Sequence, residues 1–330
     1  MKKLGVGLVA FMFVMAVVFG GNTFAAQKPY KIALIIKATD SDFWQYVIVG
    51  GTNYGLEYPD VAKVTQYGPP SEADIDKQVA IVEDVISSKP DAIVIASTSS
   101  DATVPALEKA IAQGIVVITI DNKVNSDKVH SFLATNNKVG GALAADKMVE
   151  AMKAAKIAPK GKVAIVSAMA GIQVLDDRDA GFTAQMKKIA PDIEVLAPRY
   201  VDNDIIKALG VAEDLITANK DLIGIFADNN HTGDGVSRVV TEQKLQDKLM
   251  VTAFDSDPEE VKALESGAIK ALILQDPYGM GYKGCDFAVQ VIEGKKVEKY
   301  VDTGATAVTK ENMGKEEIKG LLDPMTKKKK

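Results

Sequence analysis

At 330 residues the chain exceeds the size at which a single hydrophobic core usually keeps growing, so two domains are expected. Apolar residues make up 47% and charged residues 25%, ordinary globular proportions that exclude a generally disordered chain. A formal charge of -5 disfavours nucleic acid as a partner, and the single cysteine, Cys285, excludes an intrachain disulfide.

The chain opens with Lys2 and Lys3, an uncharged apolar run over residues 4–19, Gly20 and Gly21, and the small-residue site Thr23-Phe24-Ala25. This layout reads as a secretory signal peptide over residues 1–25. The 16-residue run falls short of the ~20 needed to span a bilayer, and an A-x-A-like site follows it. Cleavage removes two lysines and moves the formal charge from -5 to about -7. No cysteine lies near the site to carry a lipid.

From Lys31 onward, short β-branched apolar runs alternate with longer segments of helical period, the mark of βαβ units and parallel sheets. Runs at 32–36, 64–67, 92–96, 116–120 and 132–134 predict one set of strands, apolar enough to be buried on both faces. Between the second and third, Ile75, Val79, Val82 and Ile86 recur at helical spacing and predict a face packed on the sheet, with Asp76, Lys77, Glu83 and Asp84 toward water. The pattern restarts with runs at 163–166, 195–198, 222–226, 251–254 and 271–274, separated by helices near 178–190, 204–218, 233–243 and 258–266. No low-complexity linker divides the halves, so two α/β lobes with doubly wound parallel sheets, joined by short crossings, are expected. The terminal residues 327–330, all lysine, read as a solvated tail.

Ligands of open parallel sheets bind beyond the carboxyl ends of strands, and those positions are polar here. They read Thr39-Asp40-Ser41-Asp42-Phe43-Trp44, Ser97-Thr98-Ser99-Ser100-Asp101, Asp121-Asn122, Asp228-Asn229-Asn230, Asp255-Ser256-Asp257 and Gln275-Asp276. The same residue types cap helices, which is the expectation for Asp101, Ser256 and Asp257. For Asp121, Asn229, Asp255 and Gln275, recurrence at successive strand ends favours a shared cleft. Carboxylates and carboxamides with an arginine can satisfy neighbouring hydroxyls, and aromatic faces can cover the C–H surface of a sugar ring. Phe43 and Trp44 supply the aromatics, with core packing as the other reading. Arg178 supplies the guanidinium fork, oriented by the acidic run around it or else held in surface ion pairs.

Signatures of nucleophilic, metal or nucleotide chemistry are missing from the sequence: it has no G-x-S-x-G, H-E-x-x-H, C-x-x-C or G-x-x-x-x-G-K-[ST]. No catalytic residue, metal or cofactor is therefore expected. His130 reads as a surface residue, and His231 as a possible neighbour of the cleft. The segment Gly279-Met280-Gly281-Tyr282-Lys283-Gly284 fits G-x-G-x-x-G but comes late in the chain, with bulky residues inside it. It reads as a helix start with close backbone packing.

From about 31 to 313 the chain resembles the periplasmic sugar-binding proteins related to the ribose-binding protein. The matching stretches are Lys31-Ile32-Ala33-Leu34-Ile35 with Phe43-Trp44, Pro90-Asp91-Ala92-Ile93-Val94, Ile118-Thr119-Ile120-Asp121, Arg178 with Gly181-Phe182, Asp228-Asn229, Phe254-Asp255 and Gln275-Asp276-Pro277. The resemblance implies a type I periplasmic binding fold, with one lobe over 29–134 plus 277–302, the other over 135–276 plus 303–326, and hinge crossings near 134–136, 275–277 and 302–304. It implies ligand contacts from Phe43, Trp44, Asp121, Arg178, Asn229, Asp255 and Gln275, with Ser41, Asp42, Asn122 and Asn203 as further candidates. Asn122 stands where ribose binders have a second arginine and Asn203 where they have an aromatic, which widens the choice to pentoses, hexoses, inositols and a signalling furanosyl compound. Tyr67-Gly68-Pro69-Pro70 is also similar to relatives that bind that signalling sugar derivative. The implied protein is a monomeric periplasmic component of an ABC transporter that delivers ligand to an inner-membrane permease, compatible with a chemoreceptor as a second partner. The alternative from another class is the core of a sugar-responsive transcription regulator, which the signal peptide and negative charge disfavour.

Overall fold

The computed structural model describes residues 27–329, so the expected signal peptide lies outside the described residues. Five apolar runs, joined later by a sixth strand, build an all-parallel sheet. Its strands are β1 (Tyr30–Ile35), β2 (Ala62–Tyr67), β3 (Ala92–Ile95), β4 (Val116–Ile120), β5 (Ser131–Ala134) and β12 (Tyr300–Asp302), in the order β2-β1-β3-β4-β5-β12. The second sheet holds β6 (Gly161–Ser167), β7 (Ile193–Val195), β9 (Leu222–Ala227), β10 (Met250–Phe254), β11 (Ala271–Leu274) and β13 (Thr306–Val308), in the order β7-β6-β9-β10-β11-β13. A short β8 (Arg199–Tyr200) pairs with the far end of β6, and β13 is an antiparallel edge.

Each sheet reverses its strand order beside its first strand, between β1 and β3 and between β6 and β9. Such a switch point opens a crevice at the carboxyl ends of the strands. Helices cover both faces of both sheets: α1 (Asp42–Glu57), α2 (Ile75–Ser87), α3 (Val104–Ala112) and α9 (Pro277–Ile292) on the first, and α4 (Asn137–Ala154), α5 (Gln173–Ile189), α6 (Ile205–Ala218), α7 (Asn230–Glu242), α8 (Pro258–Ser266) and α10 (Glu316–Leu322) on the second. The chain passes between the sheets after β5, after β11 and between β12 and β13, giving three crossings. The two lobes are thus each doubly wound and joined by three crossings, as the resemblance implied.

The lobes also share a packing device, a helix pair that crosses on glycines. A Cβ on Gly281 of α9 would strike the Val47 carbonyl of α1, and one on Gly141 of α4 would strike the Arg178 carbonyl of α5. Backbones can approach that closely only where no side chain intervenes. This accounts for the late glycine motif, which is the start of α9, capped by Asp276 accepting from the Gly279 N–H at 2.8 Å.

Several boundaries differ from the sequence reading. β2 is an edge strand with Thr65, Gln66 and Tyr67 exposed, so it is not buried on both faces. The buried face of α2 includes Gln78 in place of Val79, because the Gln78 amide donates to the carbonyls of Ile36 and Ala96 and accepts from the Thr98 N–H. The run at 195–198 joins two short strands, and α5 begins five residues before the expected 178. Asp101 caps nothing and accepts from Asn125, while Ser256 donates to the Leu322 carbonyl; only Asp257 caps its helix, through the N–H groups of Glu259 and Glu260. His130 is half buried against the Val117 backbone, and burial lowers its pKa. The lysine tail is not free in solvent, since Lys327 and Lys329 contact α1 and α9 of the first lobe.

Candidate functional site

The carboxyl ends of both sheets face one another across a gap lined by Lys37, Ser41, Phe43, Trp44, Glu72 and Asp121 from the first lobe and by Ile172, Val174, Leu175, Arg178, Asn229, Asn230, Asp255 and Gln275 around the second. All seven principal sequence candidates border it.

Two aspartates define its walls. Asp121 ends β4 with φ 62° and Asp255 ends β10 with φ 73°, both in the left-handed region that strains a non-glycine residue. Each N–H donates to the neighbouring strand, Asp121 to the Leu133 carbonyl and Asp255 to the Ile273 carbonyl, both at 2.9 Å. The ladder holds the turn, and the turn aims the carboxylate into the gap.

Each aspartate faces a buried cation. Lys37 Nζ lies 2.6 Å from Asp121 Oδ2, an oxygen with no other hydrogen-bond partner, and 5.4 Å from the Trp44 ring centroid. Arg178, 3% exposed, donates from Nε to Asn137 Oδ1 at 2.9 Å and from Nη1 to the Asp228 carbonyl at 2.7 Å. Its Nη1 stands 3.7 Å from Asp255 Oδ2, and its guanidinium carbon lies 4.1 Å from the Phe254 ring centroid. Among the described residues Nη2 has no hydrogen-bond partner, which leaves donors for a ligand.

Gln275 Nε2 donates to Asp255 Oδ1 at 2.6 Å, and Gln275 Oε1 is buried without a partner, an open acceptor. Burial raises the Asp255 carboxyl to about 6 despite the opposing pull of Arg178 and Gln275. Burial also raises Asp228 and Asp179 behind the site. Asp228 does not face the gap: its carboxylate accepts from Ser167 Oγ and the Ala168 N–H, so its carbonyl is what Arg178 meets.

Phe43 and Trp44 pack edge to face at 4.8 Å and belong to the first lobe's core while bordering the gap, so both readings of them hold at once. Trp44 Nε1 donates to Glu72 Oε1 at 2.6 Å.

A family model described as a periplasmic binding protein domain matches residues 32–296. The chain is 31% identical to the ribose import binding protein RbsB of Escherichia coli over 300 residues, covering 90% of this chain and 95% of that one. The chain belongs to the periplasmic binding protein domain family. Among solved structures, a carbohydrate transporter solute binding protein from Agrobacterium radiobacter in complex with D-arabinose is 39% identical with a TM-score of 0.85, covering 89% of this chain and 99% of that one. An ABC transporter solute binding protein from Agrobacterium vitis with bound D-fucose is 35% identical with a TM-score of 0.83, covering 89% of this chain and all of that one.

As a periplasmic binding protein the chain departs from the sequence reading in several side chains. Of the four further candidates only Ser41 borders the gap. Asn122 turns to Ser100, 3.4 Å away, because Asp121 takes the turn position. Asn203 stands one layer back, where its Oδ1 accepts from Asn229 Nδ2 at 2.7 Å and its carbonyl contacts His231 Nδ1 at 2.9 Å. Asp42 opens α1 near Asp257 and His231, outside the lining. His231 likewise supports Asn203 and does not border the gap. Asn229 both lines the gap and caps α7, accepting from the Thr232 N–H. Arg178 is oriented by Asn137, Asp228 and Asp255, not by hydrogen bonds to Asp176, Asp177 or Asp179.

Sequence reasoning missed Lys37, Glu72 and Asn137, and placed Asn230 at a strand end without assigning it a ligand contact. Lys37 carried a signal: a lysine closing an apolar strand is costly to bury without a partner. Glu72 and Asn137 carried none, since a loop acid and a helix-start asparagine have many other uses.

Proposed function

We propose that this protein is the periplasmic substrate-binding component of an ABC transporter, closing two lobes around a neutral monosaccharide or related polyol and handing it to a membrane permease without chemical turnover. The observation that carries this reading is the meeting of both sheets' carboxyl ends on one gap walled by aromatics and hydrogen-bonding side chains.

The charges narrow the class further. Lys37 and Arg178 are already opposed by Asp121 and Asp255, and Glu72 adds a third carboxylate. An anionic ligand therefore meets no unmatched cation, whereas hydroxyls can both accept from Arg178 and donate to Gln275 Oε1. Ribose, arabinose and fucose, named with relatives, are neutral. Ligand contact is assigned to Phe43, Trp44, Asp121, Arg178, Asn229, Asp255 and Gln275, joined by Lys37, Glu72, Ser41 and Asn230. A monomer, an inner-membrane permease as partner and a chemoreceptor as a second one belong to the same reading.

A thermal-shift screen tests it. At a hundredfold excess over Kd a ligand stabilises the fold by about 2.7 kcal/mol, a rise of several degrees. D-ribose, D-allose, D-arabinose, D-fucose and xylitol form the panel, and at least one neutral member should raise the midpoint. A rise with an amino acid or nucleobase and with none of the panel would overturn the sugar assignment.

A further inference from the structure

The lysine-rich C terminus has partners on the lobe opposite the one it leaves. α10 is fixed to the second lobe, where Ile318 and Leu322 are buried in the core and Ser256 Oγ donates to the Leu322 carbonyl at 3.0 Å. Leu321 meets Phe43 and Tyr46 of α1 across a small gap. A single 3-10 turn follows at Pro324–Lys327, started by Asp323 accepting from the Met325 N–H at 3.0 Å, and the chain then lies against α1 of the first lobe.

One side chain grips the segment in both polarities. Asn53 Nδ2 donates to the Lys327 carbonyl at 2.6 Å, while Asn53 Oδ1 accepts from the Lys329 N–H at 2.9 Å. The same Nδ2 lies 3.2 Å from the Tyr278 hydroxyl. Asn53 is 1% exposed and its bonds to the segment are partly shielded, so losing them leaves the buried amide without those partners. Lys329 Nζ pairs with Glu57 at 2.6 Å, and Lys327 Nζ lies 4.7 Å from the Tyr278 ring centroid. Tyr46, Gly50, Asn53 and Glu57 follow at spacings of four, three and four, one face of α1. A cation near the C-terminal end of α1, whose last turn has no basic residue, also opposes the helix dipole.

We infer that residues 323–329 form a strap, a fourth and non-covalent connection between the lobes that stabilises their closed arrangement and lengthens the lifetime of bound ligand. The three covalent crossings set the pivot, while α10 is fixed to one lobe and Asn53 to the other, so rotating the lobes changes the span that residues 323–329 must bridge. Opening the lobes therefore breaks the strap, and an intact strap resists opening. Its weight rests on the part-buried Asn53 bonds, since the exposed Lys329–Glu57 pair contributes little.

The strap rests on the reading that the lobes open and close, but its test does not depend on which ligand they hold. Spin labels at K109C and K187C, both exposed, report the distance between lobes in ligand-free protein. Three chains are compared: the mature protein, a chain ending at Asp323, and N53A. Loss of the strap should shift the open-to-closed ratio at least about threefold toward open in both altered chains, while E57Q should change it little. With D-arabinose as probe, stopped-flow Trp44 fluorescence should show dissociation about 3–10 times faster and association nearly unchanged. Identical distance distributions in the mature and shortened chains, with both folded by circular dichroism, would overturn the strap. If D-arabinose binds neither chain, the distance measurement decides alone, and only the choice of sugar falls.

Discussion

The two lobes face the gap with matching parts and different stiffness. Each turns an aspartate out of an equivalent strand in the left-handed conformation, and each sets a buried cation against it. In the first lobe the cation is Lys37, a point charge on a long stem whose contacts are Asp121 and the Trp44 ring. In the second it is Arg178, a planar fork held by Asn137, the Asp228 carbonyl, Asp255 and the Phe254 ring. A fork fixed on several sides loses little freedom when a ligand binds, whereas a lysine can adjust. The second lobe therefore supplies preformed affinity, and the first supplies the adaptable side.

That contrast is open to direct attack. R178A is the harshest test, because it leaves Asp255 buried without its cation; removing one member of a buried pair costs about 3–5 kcal/mol. Titration calorimetry with the best sugar of the panel should show at least about a hundredfold loss of affinity for R178A. K37M should lose about tenfold. Equal losses would erase the distinction between the lobes.

The glycine crossings separate fold from site. G281A and G141A should each lower stability by about 1–3 kcal/mol through overpacking, read as a lower melting midpoint. Only G141A, which presses on the Arg178 backbone, should also weaken binding.

Asp255 makes the second lobe sensitive to acid. Its folded pKa of about 6 lies above the ordinary carboxylate value of about 3.9, so the folded protein holds this proton more tightly than the unfolded chain. The stability it contributes is full below about pH 4 and is lost as pH rises through 6, about 1.4 kcal/mol per unit at most. Ligand-free protein should therefore gain stability from pH 7.5 to pH 5 relative to D255N. Affinity should run the other way, falling at pH 5 as the carboxylate that faces Arg178 is neutralised. The smallest effect is expected for E72Q, which keeps an acceptor for the Trp44 indole: a loss of about threefold or less in affinity.

Much of this was legible before any coordinates. The alternation of apolar runs and helical periods gave both sheets because parallel strands buried on two faces leave an unmistakable composition. Asp121, Asn229, Asp255 and Gln275 could be picked out because the carboxyl ends of strands are where this architecture gathers ligands, and Arg178, inside α5, through the family resemblance around Gly181-Phe182. The remainder depended on side-chain direction, which spacing does not carry. Asn122 and Asp121 are adjacent, yet only one faces the gap, because φ 62° at Asp121 turns its neighbour toward Ser100. The tail failed for another reason: its partner Asn53 is 274 residues away, and four lysines look alike whether solvated or docked.

The Phe254 ring beneath Arg178 stands 6.1 Å from Phe226, which stacks on Phe182 at 4.5 Å, so the guanidinium rests on a column running into the interior of the second lobe. Gly140 leaves the space that the tip of Phe254 fills. A new residue at position 178 would have to be accommodated by three rings and two helices, while one at 72 disturbs a loop and its bond to Trp44, and one at 41 a helix entry facing Asn230. Diversification toward new cargo should thus enter through the lobe that begins at Tyr30, leaving the other to be inherited almost intact.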